Sequence, residues 1–246
     1  MPSNWQGQII RFSLFPATPW DIAAFEDVWG RFSNDPAELD EHRPRERVRR
    51  RAGTYKEGVV LEIGVSPQRV DIVFSPATTP QGQGESLGPF EPLLREVAPH
   101  FAGWVENFPF DLSRGAVGLT LMDPAESRIA SYQKIMEFAK SLTIDLSEPV
   151  SDLLFQINHP IGATSKDGLT INRLMKFGAI LRTSMAINFD NNAPTIVEGA
   201  APPRHFTTIE LDINTAPGTT LERASLRTIF QELLDISFNL AAHGEP

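Results

Sequence analysis

Cysteine is absent from this chain of 246 residues. Its absence excludes disulfides, thiolate nucleophiles and thiolate metal sites, and it fits a reducing compartment. Residues 1–6 also lack the basic region and the apolar stretch of a secretory signal. No apolar run approaches the roughly 20 residues that are needed to span a bilayer. We therefore expect a cytoplasmic protein that has no membrane partner.

Tyrosine is scarce as well, and acidic residues outnumber basic ones. The chain has 2 Tyr beside 16 Phe, and rings without a polar group are most easily placed in a dry interior. The net charge of −9 excludes a general attraction to nucleic acids or anionic membranes. Hydrophobic residues make up 41% of the chain, which is enough for a large core in one domain or in two smaller ones.

The first half of the chain alternates between strand and helix patterns. Apolar residues at every second position predict strands, whereas apolar residues three and four apart predict helices. The predicted elements are a strand over 9–15, a helix over 18–32, strands over 59–65 and 69–74, a helix over 88–105 and a strand over 116–122. Right-handed crossovers and neighbouring sequential elements then favour a ferredoxin-like β-α-β-β-α-β unit. The charged residues 33–57 are predicted to be a loop inserted after the first helix.

The second half is predicted to follow the order α-β-β-β-β-α with a mostly antiparallel sheet. The predicted elements are a helix that begins at Asp123, strands over 152–158, 169–174, 178–188 and 206–214, and a helix that begins at the capping sequence 219–222. No flexible linker separates the halves near Met122–Asp123. We therefore predict an α+β fold with two subdomains, 1–122 and 123–246, that share one continuous core.

Short sequences in the second half carry a resemblance to other proteins. They are Phe155-Gln156-Ile157-Asn158-His159-Pro160, Leu169-Thr170-Ile171-Asn172-Arg173-Leu174 and the closing run Leu211-Asp212-Ile213 with the helix after it. In these stretches the chain resembles a sporadically distributed family of uncharacterised bacterial proteins of about this length. The resemblance implies a bacterial cytoplasmic protein with no assigned activity and no catalytic residues to carry over. The N-terminal half departs from that family, in which the first strand follows a proline-rich opening.

Six arginines crowd one short stretch of the first half. They are Arg43, Arg45, Arg47, Arg49, Arg50 and Arg51. Arginine forks suit phosphates, and such density can place a protein on a nucleic-acid backbone. However, acidic residues at 35, 38, 40, 41 and 46 can neutralise the run, and no aromatic residue is interleaved for base stacking. A solvated or internally paired segment is favoured, with contact to a partner protein and nucleic-acid binding as alternatives.

We find no local catalytic or cofactor motif in the sequence. The glycines of 82–88 have the wrong spacing for a dinucleotide loop, G-x-S-x-G is missing, and the five histidines lack zinc-site spacing. Residues 190–192 offer oxygen ligands of the kind that calcium accepts, but they lack the glycine and distal glutamate of an EF-hand and favour a turn. We therefore predict no cofactor and no metal site.

Five residues are nevertheless candidates for a common pocket. His159 precedes a proline at a strand end, and Asn158 and Asn172 come near it if their strands pair. Glu210 and Asp212 share one face of a strand and lie about 7 Å apart along it. Paired carboxylates can perform acid–base chemistry or hold a metal. The solvent face of a sheet is the favoured interpretation of this pair.

The leading functional hypothesis is a non-enzymatic cytoplasmic component of a bacterial accessory system that recognises another protein or forms a homo-oligomer. It depends on the lack of chemical motifs, on a large α+β surface and on the charged segment 35–51. One alternative is a nucleic-acid-binding module that uses Arg43–Arg51. The other alternative is an enzyme with dispersed catalytic residues around His159, Glu210 and Asp212.

Overall fold

The computed structural model describes residues 4–79, 82–83, 86–183, 185–190, 193–198 and 202–245. The strands are β1 (Gln6–Pro16), β2 (Leu39–Arg43), β3 (Val48–Lys56), β4 (Val59–Ser66), β5 (Arg69–Pro76), β6 (Thr78–Thr79), β7 (Gly82–Gln83), β8 (Leu112–Ala125), β9 (Leu154–Asn158), β10 (Ile161–Gly162), β11 (Thr170–Arg182), β12 (Met185–Asp190), β13 (Ala193–Glu198) and β14 (Arg204–Thr215). The α-helices are α1 (Phe90–Glu106), α2 (Arg128–Phe138) and α3 (Leu226–His243). None of these helices is long and apolar enough to cross a membrane.

Ten strands form one antiparallel sheet in the order β10-β11-β14-β8-β1-β5-β4-β3-β2, and β9 pairs with β11 beside β10. The hairpins β6–β7 and β12–β13 form two separate pairs. β8 lies between β1 and β14, and it continues through the predicted subdomain boundary at Met122–Asp123. The α+β class and the mostly antiparallel sheet are confirmed.

The strands alternate between a buried face and a polar face, as their sequences predict. In β1, Ile10, Phe12 and Leu14 are completely buried, whereas Arg11 between them is only partly buried. Successive side chains of a strand point to opposite faces of the sheet, so one face of β1 is apolar and the other is polar. The apolar face forms the floor of the hydrophobic core.

Helices α1 and α3 cover the apolar face of the sheet. Phe101 of α1 stacks on Phe12 of β1 with ring centroids 4.2 Å apart, and it meets Phe230 of α3 edge to face at 4.9 Å. Gly115 of β8 lies directly beneath Phe230, where a Cβ atom would come within 2.6 Å of the ring. A glycine is therefore required at 115 for α3 to pack this close to the sheet.

The helix predicted over 18–32 is wrong, because this segment forms two short 3-10 turns, Ile22–Phe25 and Trp29–Arg31. The side chains of the predicted apolar stripe are still mostly buried. The indole N–H of Trp20 donates to the carbonyl oxygen of Ser66 at 2.6 Å, and that of Trp29 donates to Asp35 at 2.7 Å. These tertiary hydrogen bonds fix the two ends of the segment in positions that a continuous helix does not reach.

The loop predicted over 33–57 is also wrong, because it contains the hairpin β2–β3, which extends the sheet beyond β4. Hydrophobic alternation cannot reveal this hairpin, since charged residues occupy both of its faces. One close contact fixes its position against the core. A Cβ atom at Gly53 would lie 3.4 Å from the ring of Trp29.

In the second half, the start of α2 differs from the prediction. The helix begins at Arg128, and the hydroxyl of Ser127 caps it by accepting a hydrogen bond from the Ala130 amide at 3.1 Å. It does not begin at Asp123, because this residue pairs with Thr207 as part of β8. Tertiary strand pairing thus overrides a sequence that is typical of helix starts.

Two further predictions in the second half are corrected by strand pairing. The strands predicted over 169–174 and 178–188 are largely one strand, β11, because β14 pairs with it along its full length. The closing helix begins at Leu226 and not at the capping sequence 219–222, where Leu221 forms an isolated bridge with Leu112. The apolar stripe predicted for this helix is buried from Leu226 to Leu240.

Candidate functional site

The face of the sheet opposite the helices is polar, and we call it the open face, since no helix lies on it in the described part of the chain. Side chains of β1, β8, β14, β11 and β9 reach it at alternating positions. In one row across these strands, Arg11 pairs with Gly118, Gly118 with Asp212, Asp212 with Leu174, and Leu174 with Asn158. The row crosses the middle of the sheet.

A groove of about 560 Å³ runs along this row. Its polar and charged lining comes from five strands and consists chiefly of Arg11, Thr120, Gln156, Lys176, Glu210 and Asp212. Gly118 contributes no side chain, so the floor of the groove is low at that point. Two of the residues singled out from the sequence, Glu210 and Asp212, therefore lie in one concave site.

Both carboxylates of the groove already have partners. The ammonium of Lys176 donates to Glu210 at 2.9 Å. Asp212 accepts a hydrogen bond from the amide of Asn214 at 3.1 Å and lies 3.9 Å from the guanidinium of Arg114. Each carboxylate of the groove is therefore already engaged by a neighbouring cation or amide.

A chain of amides continues from Asp212 to the edge of the sheet. Asn214 accepts a hydrogen bond from Asn172 at 3.1 Å, and Asn172 accepts one from Asn158 at 3.1 Å. Each side-chain amide has both a donor and an acceptor, so the chain fixes the orientation of every member. The strands of Asn158 and Asn172 pair, as the expectation for these residues required, and the two amides contact each other.

His159 lies away from this group. Its imidazole Nε2 is 3.9 Å from the carboxylate of Glu245, which is only 2% exposed and accepts hydrogen bonds from the amide and hydroxyl of Ser141 at 2.8 and 2.9 Å. The carbonyl of His159 accepts a hydrogen bond from the guanidinium of Arg173 at 2.8 Å. The structure therefore joins Asn158, Glu210 and Asp212 on the open face, and His159 does not line their groove.

Arg11 is a groove residue that the sequence analysis did not single out. Its guanidinium lies over Gly118, where an added Cβ would be 3.3 Å from both Nε and Nη2. Its Nε is buried without a hydrogen-bond partner, and it forms no ion pair with any residue that the structure describes. The only sequence signal was a charged residue in the centre of an otherwise apolar strand.

Exposed apolar side chains surround the groove on the open face. Ile9 of β1 is 39% exposed, Ile180 of β11 is 38% exposed and Leu154 of β9 is 64% exposed. Leu154 lies opposite Gly178, so it shares this face with Ile180 two residues further along β11. Apolar groups of this size in contact with water are unfavourable unless something covers them.

A larger groove of about 640 Å³ lies between the start of α1 and the end of α3, beside Trp5. Its charged side chains are already engaged. Arg95 donates to Glu91 at 2.7 Å and covers the ring of Phe238 at 4.8 Å. We therefore place the candidate site on the open face, where a cation lacks a partner, although the groove there is smaller.

The arginine run folds as the hairpin β2–β3, and alternation distributes its members over both faces. Arg49 and Arg51 reach Asp40 at 2.7 and 3.2 Å, whereas Arg50 points to the opposite face and donates to Glu62 at 2.6 and 2.7 Å. The hydrogen bond from Arg49 lowers the pKa of Asp40 below its usual value. These contacts agree with the internally paired interpretation.

The remaining arginines of the run lie at or near the hairpin turn. Arg43 pairs with Glu41 at 2.7 Å and with Glu46 at 3.5 Å. Arg45 and Arg47 are exposed and form no ion pair within the described residues. Only these two arginines keep their charge free for contact with a partner or with nucleic acid.

Metal and phosphate sites have no support in the part of the chain that the structure describes. No group of three or more His, Asp or Glu side chains there could hold a metal ion. Residues 84 and 85 of the glycine-rich loop and residues 191 and 192 of the oxygen-rich turn lie outside the described residues. Those two interpretations therefore stay predictions.

Comparison with known proteins adds no identity. No protein-family model matches the chain, and no curated protein matches it.

Proposed function

We propose that this chain is a non-enzymatic cytoplasmic component of a bacterial accessory system that binds a partner protein through the open face. The observation that carries the proposal is the exposure of Ile9, Leu154 and Ile180 around a groove whose carboxylates are already paired. Exposed apolar side chains beside polar groups are found together in protein interfaces. An enzyme is disfavoured because Glu210 and Asp212 are held by cations and His159 lies elsewhere.

The scaffold beneath this face supports the proposal. Strands β8, β1, β5 and β4 are neighbours in that order, which is the order of a ferredoxin-like unit. We propose that this unit, with turns in place of its first helix, holds the open face rigid from below. Sites on packed strands are held more accurately than sites on loops.

A charge placed on the apolar rim tests the proposed function. Leu154→Asp combined with Ile180→Asp is expected to weaken partner binding by about tenfold or more, because both side chains would be desolvated in the complex. The measurement is cross-linking with mass spectrometry of tagged protein in its native host. Sedimentation velocity of the purified chain shows whether the partner is a second copy.

The matched control is Ile129→Asp, at a site that is 54% exposed in α2, on the opposite side of the sheet. The control is expected to retain the partner. If the open-face variant retains it equally well, or if the wild-type chain is monomeric and acquires no cross-links, the proposed function is wrong.

A second candidate function is nucleic-acid binding, but through the open face and not chiefly through Arg43–Arg51. The ring of Phe15 lies 5.1 Å from the guanidinium of Arg69 and 5.4 Å from that of Arg114. Aromatic rings flanked by arginines occur in proteins that stack single-stranded bases. However, Arg69 is paired with Asp71 at 2.6 Å, which would repel a phosphate.

Fluorescence anisotropy with single-stranded DNA and RNA over a range of salt concentrations separates the two candidates. The protein-binding proposal predicts no binding that strengthens as salt is lowered. If the affinity for nucleic acid no longer depends on salt in Arg69→Glu and Arg114→Glu, nucleic acid binds to the open face. If this salt dependence disappears only on charge reversal at Arg47, Arg49 and Arg50, nucleic acid binds to the hairpin.

A further inference from the structure

The charged residues that line the open-face groove are two cations and two carboxylates, but they do not all pair with one another. Glu210 is matched by Lys176, and Asp212 is matched by Arg114. Arg11 lines the same groove as these two carboxylates, but it forms no ion pair with a described residue.

The side chain of Arg11 has a close packing contact but no polar partner among the described residues. Its guanidinium packs on Gly118, and its Nε is buried without a partner. Guanidinium groups present parallel N–H donors that match the two oxygens of a carboxylate. A carboxylate that reaches the terminal amino groups of this guanidinium would supply the acceptor that Arg11 lacks.

The apolar side chains define the rest of the complementary surface. Ile9 lies two residues from Arg11 on β1, whereas Leu154 lies on β9, across β8, β14 and β11. Four strand spacings separate β1 from β9, which is about 19 Å. An extended segment of about six residues covers that distance.

We infer that the open face binds a segment of a partner protein that carries an Asp or Glu beside an apolar residue at one end and a second apolar residue about six positions away. The carboxylate pairs with Arg11, one apolar side chain covers Ile9, and the other covers Leu154 and Ile180. The inference rests on the proposed function and adds the chemistry of the partner.

The probe is a displayed library of random peptides of about twelve residues, twice the length that spans the face. Selection on the purified full-length protein is expected to enrich peptides with a carboxylate beside an apolar residue. Arg11→Gln is expected to lower the affinity for a selected peptide by about tenfold or more, because a charge-assisted hydrogen bond is lost. Arg11→Lys, which retains the charge but not the fork, is expected to show a smaller loss.

The matched control for Arg11→Gln is Arg45→Gln, an exposed arginine of the hairpin that also lacks an ion pair among the described residues. This control is expected to bind the peptide as the wild-type chain does. Thermal unfolding of Arg11→Gln is expected to match that of the wild type, since Arg11 has no ion pair to lose. If Arg11→Gln binds the peptide more weakly but unfolds at the same temperature as the wild type, the effect is on recognition.

Gly118→Ala provides a second variant that keeps the charge. Its Cβ would lie 3.3 Å from the guanidinium and would displace it by a few tenths of an ångström. The inference predicts weaker peptide binding without a lower melting temperature. Unchanged binding in both Gly118→Ala and Arg11→Gln overturns the role of Arg11.

The failure of the inference differs from the failure of the proposed function. If selected peptides bind Arg11→Gln normally but no longer bind Leu154→Asp, the proposed contact between a carboxylate and Arg11 is wrong. The open face then remains the binding surface. If they bind Leu154→Asp and Arg11→Gln as they bind the wild type, the proposed function fails too. The inference is also overturned if the selection enriches no acidic peptides. It is overturned as well if the chain binds single-stranded DNA tightly and Arg11→Gln abolishes that binding.

Discussion

The β2–β3 hairpin and the groove of the open face both present arginine, but they use it differently. In the hairpin, Arg49 and Arg50 hold Asp40 and Glu62, so most of a dense positive run is neutralised within the fold. In the groove, Arg11 lies on Gly118 and forms no ion pair with a described residue. The density of charge in a stretch therefore does not show how much of that charge is left unpaired.

This comparison divides charged residues into those that act on stability and those that act on binding. A paired charge contributes to the free energy of unfolding, and its removal should leave recognition intact. A charge without a partner contributes little to folding, and its removal should affect only what the protein binds. This division can be tested with Arg11 and with three carboxylates that have partners, those of Glu245, Glu232 and Asp40.

The largest effect on stability is expected for Glu245, whose buried carboxylate accepts two hydrogen bonds from Ser141. Glu245→Ala is expected to lower the free energy of unfolding by about 2 kcal/mol, since charged hydrogen bonds are lost at a buried site. Urea denaturation measures the change. Glu148→Ala, at an exposed position, is the control. A loss no larger than that of the control would show that Glu245 does not hold the end of α3 against α2.

An intermediate effect is expected for Glu232 of α3. Its carboxylate accepts hydrogen bonds from the Thr164 amide at 2.7 Å and the Ser165 amide at 2.9 Å. Burial raises its pKa, but the hydrogen bonds from Ser165 and Thr164 together lower it further, so the pKa lies below its ordinary value of 4.5. Glu232→Gln is expected to cost about 1 kcal/mol at neutral pH.

The pH dependence of Glu232 follows from the direction of that shift. Because the pKa is lower in the folded state, the stabilising contribution is fully present above 4.5 and is lost as the pH falls through the folded value. The difference between wild type and Glu232→Gln should therefore shrink on acidification. A difference that grows below pH 4.5 would contradict the assignment.

The smallest of the three stability effects is expected for Asp40, whose side chain is 41% exposed. Asp40→Asn removes the acid that Arg49 and Arg51 share, and exposed ion pairs contribute only about 0.2–1 kcal/mol. Because Arg49 lowers the pKa of Asp40, the pair should persist until the pH falls below its usual value of 3.8. Any gain in nucleic-acid binding by Asp40→Asn would show that pairing had concealed a binding site.

The sequence predicted those elements in which side-chain hydrophobicity alone sets the structure. The alternation around Phe12 and the apolar stripe of α1 were read correctly, because burial on one face requires these periods. The hairpin β2–β3 was missed, because charge pairs between strands replace hydrophobic alternation there. The helix does not begin at Asp123 as predicted, because Asp123 pairs with Thr207 in the sheet, and these residues are far apart in the chain.

The candidate site was predicted only in part, for a similar reason. Glu210 and Asp212 could be placed on one face from the strand period, and Asn158 and Asn172 were expected near His159 if their strands paired. The strands do pair, and the two amides contact each other. His159 directly follows Asn158, so strand alternation directs its side chain to the opposite face, where it lies beside Glu245. That Arg11 lacks a partner is a property of the assembled sheet, and no local pattern contains it.

The most direct test of this account measures stability and binding together in Arg11→Gln and Asp40→Asn. The account predicts that Arg11→Gln retains the wild-type unfolding midpoint and loses affinity for a selected acidic peptide by about tenfold or more. It predicts that Asp40→Asn retains that affinity and is slightly less stable. The account is contradicted if Arg11→Gln binds the peptide like the wild type, or if the loss of binding accompanies Asp40→Asn instead.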